Sequence, residues 1–134
     1  MRIPRVTLVL TAWMSSVALA PVAHAEDIVT YEIVSDQVTK ANVEYYDHSV
    51  RQSLVDVPLP WRMNAAVSDP RSVSAEVRAD WRSSIAALPA WRPNNWVTVR
   101  IWSRGSLLCQ NTLDVGNATC YGNTPLQMGP EIPR

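Results

Sequence analysis

Phenylalanine is absent from this 134-residue chain, and lysine occurs once, at Lys40. The first absence moves the aromatic filling of any core onto six tryptophans and four tyrosines. The second leaves arginine as nearly all of the basic charge, and the formal net charge is zero. That balance argues against a binder working by bulk attraction to nucleic acid or to an anionic membrane. Histidine and cysteine number two each. One histidine beyond the N-terminal segment, His48, and two cysteines expected to be joined do not supply the converging ligands a metal needs. Four scattered glycines exclude a Gly-rich phosphate loop. No repeat or low-complexity tract is found, and after residue 25 no apolar run is long enough to cross a bilayer.

What is present begins with a segment that reads as an export signal. Met1-Arg2-Ile3-Pro4-Arg5 is a basic start, Val6 to Ala20 is an apolar run, and Ala23-His24-Ala25 has the small-x-small pattern of a cleavage site. The expectation is a signal peptide over residues 1–25, cleaved between Ala25 and Glu26. An uncleaved anchor is the alternative. Export places Cys109 and Cys120 where disulfides persist. About 109 residues then remain, one domain with one core, over residues 26–122, followed by a Pro-containing tail over 123–134.

Within the domain the pattern is that of short strands. Val29, Tyr31 and Ile33 share one face of a first strand, and Val43 and Tyr45 one face of a second that ends at Asp47-His48-Ser49. A third covers Ser53 to Val57 and stops at Pro58 and Pro60. Trp61 to Val67 forms a fourth. From Asp69 to Leu88 two periods compete. Val73, Ala75, Val77, Ala79 and Trp81 alternate with polar residues, while Asp69-Pro70 and the four-residue spacing of Val73, Val77, Trp81 and Ile85 also fit a helix. Alternation over ten residues assigns a strand to Val73–Ala79, with Trp81–Leu88 as a loop or helical turn.

The stretch from Trp96 to Gly122 reads as two consecutive hairpins, turning at Ser103-Arg104-Gly105 and at Asp114-Val115-Gly116-Asn117. If the second turn centres near Asp114 and Val115, Cys109 and Cys120 face each other across neighbouring strands, close enough for a disulfide. Closing so short a loop contributes roughly 3 kcal/mol. Six to eight short strands without a long helix predict an all-β fold, a small antiparallel Ig-like β-sandwich with a disulfide-stapled C-terminal hairpin.

Several segments resemble, in order, the extracytoplasmic domain of the MmpS family, small mycobacterial proteins that accompany MmpL lipid and siderophore transporters. Val29-Thr30-Tyr31-Glu32-Ile33 is similar to that family's opening strand, and Ala41 to Asp47 to its second. Val57-Pro58-Leu59-Pro60-Trp61 resembles its LPW segment, Ser72 to Val77 its S-V-S-A-x-V strand, and Arg100-Ile101 with the Gly105 turn and Cys120 its C-terminal end. There are departures. The family's first cysteine stands where this chain has Val99, so the Cys109–Cys120 bridge follows from this sequence alone. The connection from Asp80 to Asn95 is also longer here, and the N-terminus looks cleavable where the family usually keeps an anchor. The resemblance implies a non-enzymatic transport accessory or lipid-binding module of the actinobacterial cell envelope, with an MmpL-type transporter or an amphipathic lipid as partner. A secreted interaction protein without transporter coupling is the alternative, and a small hydrolase a distant third.

Chemistry-bearing residues are few. His48 follows Asp47, but sequence neighbours on a strand point to opposite sides, and the residue reads as an exposed turn histidine. Asp36, Glu44, Asp47 and Asp56 have no spacing that suggests an acid–base pair. Asn117-Ala118-Thr119 matches a glycosylation sequon, a pattern common by chance. No catalytic residue, metal or cofactor is expected, and the domain is expected to be a monomer. The remaining lead is tryptophan. Trp81, Trp91, Trp96 and Trp102 gather around the Pro-containing connection and one face of the sixth strand, with Arg100 and Arg92 beside them. Exposed, they form a candidate binding surface; buried, they replace phenylalanine in the core.

Overall fold

The computed structural model describes residues 25–86 and 95–124. It contains two four-stranded antiparallel sheets packed face to face. The strands are β1 (Asp27–Val34), β2 (Lys40–Asp47), β3 (Val50–Pro58), β4 (Trp61–Val67), β5 (Glu76–Asp80), β6 (Val97–Ser103), β7 (Ser106–Leu113) and β8 (Asn117–Tyr121), with one helical turn, α1 (Arg82–Ala86), between β5 and β6. One sheet has the order β4-β1-β6-β7 and the other β3-β2-β5-β8.

Period-two alternation builds the interior. Val29, Tyr31 and Ile33 of β1, Val43 of β2, Val77 and Ala79 of β5, and Val97, Val99 and Ile101 of β6 are all fully buried. Tyr31 and Tyr45, and Tyr45 and Trp61, pack as tilted ring pairs at 5.7 and 5.3 Å, the aromatic weight that phenylalanine would otherwise carry.

The β2–β3 connection is tighter than the sequence suggests. His48 and Ser49 both hold positive φ, 50° and 61°, so a two-residue turn of the hairpin type pairs Asp47 directly with Val50. The third strand therefore starts at Val50 instead of Ser53; neither turn residue is the usual glycine or asparagine, so the signal is hidden. The His48 N–H also donates to the Ala66 carbonyl at 2.8 Å, joining the two sheets at this end. At the other end the Leu59 N–H donates to the Thr39 carbonyl at 2.9 Å, where the Pro58–Pro60 segment, with a cis Leu59–Pro60 bond, carries the chain between sheets.

The fifth strand begins at Glu76, not at Val73, and Val73 is 61% exposed. Local side-chain bonding explains the loss. Ser72 and Ser74 hydroxyls donate to the Asp69 carbonyl at 2.8 and 2.7 Å, and Arg71 N–H donates to Asp69 Oδ1 at 3.0 Å. These bonds offer the backbone an alternative to the ladder. Past Ala75 the alternation holds, and Trp81–Leu88 opens with the helical turn α1, whose Arg82 N–H is received by Asp80 Oδ1 at 3.1 Å.

The β6–β7 hairpin turns at Arg104-Gly105 as expected, with Ser103 opposite Ser106. The second expected hairpin does not form. β7 pairs with β6 in one sheet, and β8 pairs with β5 in the other, so the chain crosses between sheets at Asp114–Gly116. The Cys109–Cys120 disulfide is present, with Cα atoms 5.8 Å apart, but it ties one sheet to the other rather than stapling a hairpin. Both sulfurs lie on inward faces, Cys109 at 2% and Cys120 at 0% exposure. The crossing is held against α1. Trp81 N–H donates to the Gly116 carbonyl at 2.8 Å, and a Cβ on Gly116, whose φ is +101°, would lie 2.4 Å from Arg82 Cγ. Only glycine tolerates both demands.

Candidate ligand groove

Strand β6 is interior to its sheet, between β1 and β7. Its inward residues are core, so Thr98, Arg100 and Trp102 point outward, with Trp96 just ahead of the strand on the same side. Thr98 Oγ1 and Thr112 Oγ1, directly opposite on β7, are 2.8 Å apart. Arg100 Nη1 donates to Glu32 Oε1 at 2.8 Å and Nε donates to Gln110 Oε1 at 2.7 Å, so both neighbouring strands hold its guanidinium. Glu32 also receives Arg62 Nη1 at 3.3 Å. The hydrogen bond from Arg100 holds the Glu32 carboxyl below the usual carboxylate range, against the opposing effect of burial.

The β1–β2 loop folds over the end of this face. Ser35 Oγ donates to the Trp96 carbonyl at 2.7 Å and receives the Val38 N–H at 3.0 Å, which clamps the loop beside the start of β6. Between them runs a groove of about 870 Å³. Val34, Pro60 and Trp96 supply its apolar surface; Ser35, Asp36 and Gln37 of the loop and Thr98, Arg100 and Thr112 of the sheet supply its polar surface. Trp96 is 39% exposed, and Asp36 is exposed at the rim.

The expected tryptophan cluster is therefore divided. Trp96 and Arg100 come together in the groove. Trp81 is fully buried and is removed from the candidate surface, because the alternation Ala75, Val77, Ala79, Trp81 carries it onto the inner face of the sandwich. Trp102 is half-buried, opposite Thr30 and roughly 20 Å along the strand from Trp96, outside the groove. Trp91 lies outside the described residues. The candidate cleavage pair, Ala25 and Glu26, lies just before β1. Val34, Ser35, Gln37, Pro60, Thr98 and Thr112 are lining residues that sequence reasoning did not single out, and Asp36, weighed there only as an acid–base partner, joins them. The outward register of Thr98 was legible beside Trp96 and Arg100; the loop residues reach the groove through the long-range pairing of β1 with β6.

His48 sits at the opposite end, 68% exposed in its side chain, paired with Glu26. Among the described residues no group of three or more His, Cys, Asp or Glu side chains is placed to hold a metal ion, and no helix is long and apolar enough to cross a membrane. Chemically the groove can stack a flat or apolar surface on the indole and exchange hydrogen bonds with the hydroxyls, amide and carboxylate around it. No protein-family model and no curated protein sequence matches this chain.

Proposed function

We propose that this is a non-enzymatic, exported β-sandwich module of the cell envelope that binds a ligand or partner through the Trp96 groove. The observation that carries the reading is the placement of a 39% exposed tryptophan over a groove floored by Arg100, while Trp81 fills the core. An exposed indole has an apolar body available for contact, and such residues concentrate binding energy at interfaces. The disulfide between the sheets is what an oxidising compartment maintains. The ordered likeness to MmpS proteins supports a transport-accessory role beside an MmpL-type transporter.

A secreted interaction protein without transporter coupling is the second reading. It is favoured by the small-x-small pattern at Ala23-His24-Ala25 standing immediately before β1. N-terminal sequencing of the exported protein separates the two: a start at Glu26 in the medium supports the secreted form, and an intact N-terminal segment in the membrane fraction supports the anchored accessory. Co-purification with a membrane transporter, lost on Trp96→Ala, is the expected outcome for an accessory. Retention of that partner by Trp96→Ala moves the interface elsewhere.

A further inference from the structure

We infer that the groove takes a neutral, polyhydroxylated ligand, a saccharide segment, and not an anionic headgroup. The inference rests on the reading of the Trp96 groove as a binding surface and names what it binds.

Charge decides first. A phosphate or carboxylate is held most strongly where an arginine or lysine turns uncommitted donors toward it. Among the described lining residues the cation is Arg100, and its charge is already paired: Nη1 donates to Glu32 at 2.8 Å and Nε to Gln110 at 2.7 Å, so two of its three guanidinium nitrogens are committed. Arg62 adds a second contact to the same Glu32. The other charged side chain among the described lining residues is Asp36, which balances Arg100, so these side chains offer an anion no net positive charge.

Hydrogen-bonding capacity decides next. Thr98 and Thr112 bond each other, leaving a donor and spare lone pairs. The Gln37 amide gives and receives, and Asp36 receives. An acyl chain laid across these groups would strip them of water without replacement, at a cost of about 1–3 kcal/mol for each group left unpaired. A ligand whose polar groups are all hydroxyls satisfies donors and acceptors alike. The indole of Trp96 meets the other side of such a ligand, because a pyranose ring presents an apolar C–H face and a polar rim. A cavity of about 870 Å³ is within the roughly 300–1,000 Å³ of small-molecule sites. A quaternary ammonium over Trp96 beside Asp36 would satisfy charge but leaves the threonine hydroxyls unmatched.

The test is titration of the full chain, followed by tryptophan fluorescence and saturation-transfer NMR, with three probes: an array of neutral hexose and pentose oligosaccharides, choline, and phosphatidylglycerol vesicles. The expected result is saturable binding of a neutral oligosaccharide, with transfer to its ring protons, unchanged between about 50 and 500 mM salt because no charge pair forms. Trp96→Ala should weaken it at least tenfold and Trp96→Tyr should restore most of it, while Thr119→Ala, on the other sheet, should leave it unchanged. Circular dichroism of each variant confirms folding. Binding of no neutral oligosaccharide, or binding indifferent to Trp96→Ala, overturns the inference. Choline or vesicle binding that Trp96→Ala abolishes overturns the saccharide assignment and keeps the groove as a site, whereas indifference of every probe to Trp96→Ala removes the groove itself.

Discussion

The outer faces of the two sheets are built from similar residues and differ in what they leave available. On the β3-β2-β5-β8 face, Arg51 contacts Glu44 at 3.0 Å and Glu76 at 3.1 Å and stacks over the Tyr46 ring at 4.9 Å. Arg78 stands directly opposite Glu44, with Glu76 at 3.8 Å, and donates to the Thr119 hydroxyl at 3.2 Å. Arg82 Nε donates to Asp80 Oδ1 at 3.0 Å. Under this lattice Glu76 is buried, with 5% exposure, although a carboxylate on the outward register is ordinarily solvated. On the β4-β1-β6-β7 face Glu32 is shared by Arg62 and Arg100, and the Arg100 pair floors a groove whose walls are an indole and hydroxyls. Mutual pairing of charges uses up binding capacity; an aromatic ring among small polar groups retains it.

That contrast can be broken at several levels. The largest effect is expected where both faces depend on one interior. Trp81→Ala should cost about 3–5 kcal/mol, read as a fall in the urea midpoint at constant slope, and should disable both faces together; a loss below about 1 kcal/mol would mean the indole is not the core element described here. Next, Cys109→Ala with Cys120→Ala should cost about 2–4 kcal/mol, because the unfolded chain regains the freedom that the closed loop removes; reduction of the native protein should lower the thermal midpoint comparably.

Acid sharpens the comparison further. The Glu32 carboxyl is held below its ordinary 4.5 by the hydrogen bond from Arg100, and Asp80 below its ordinary 3.8 by the hydrogen bond from Arg82. Both folded values are depressed, so each carboxylate contributes stability that is present above its unfolded pKa and is lost as pH falls through the folded one. Denaturation midpoints should drop below about pH 4.5. Glu32→Gln should flatten that drop more than Asp80→Asn, since the Glu32 side chain is 16% exposed and that of Asp80 is 30%. Equal profiles would erase the distinction. The smallest stability effect belongs to Trp96→Ala, under about 1 kcal/mol by the same urea assay, although its effect on binding is the largest.

The strands were legible where one face alternates without interruption. Val29, Tyr31 and Ile33, and Val97, Val99 and Ile101, announce their register in the sequence because burial of every second residue leaves a direct imprint. Trp81 was legible in the same way, as the end of the Ala75-Val77-Ala79 series, yet its place beside a Pro-rich connection suggested a surface. The start of β5 was not legible, since Ser72 and Ser74 fit both a wet strand face and a local turn, and only their bonds to Asp69 distinguish the two. Half of the groove was visible as Trp96, Thr98 and Arg100 on one side of β6; the other half, Asp36 and Gln37, lies some sixty residues earlier.

By itself the chain determined that it forms short strands around an aliphatic, phenylalanine-free interior, because period-two burial is a local property; the pairing of its two cysteines was expected from a hairpin that does not form. Only the tertiary structure decided that Cys109 and Cys120 belong to different sheets, that Trp81 is core while Trp96 is surface, and that the Ser35–Val38 loop closes a groove over Arg100. The physical reason is that a turn such as Asp114–Gly116 can feed either a hairpin or a crossing between layers. Which one forms depends on the competing partners, β5 for β8 and β6 for β7, that backbone hydrogen bonds recruit from far along the chain.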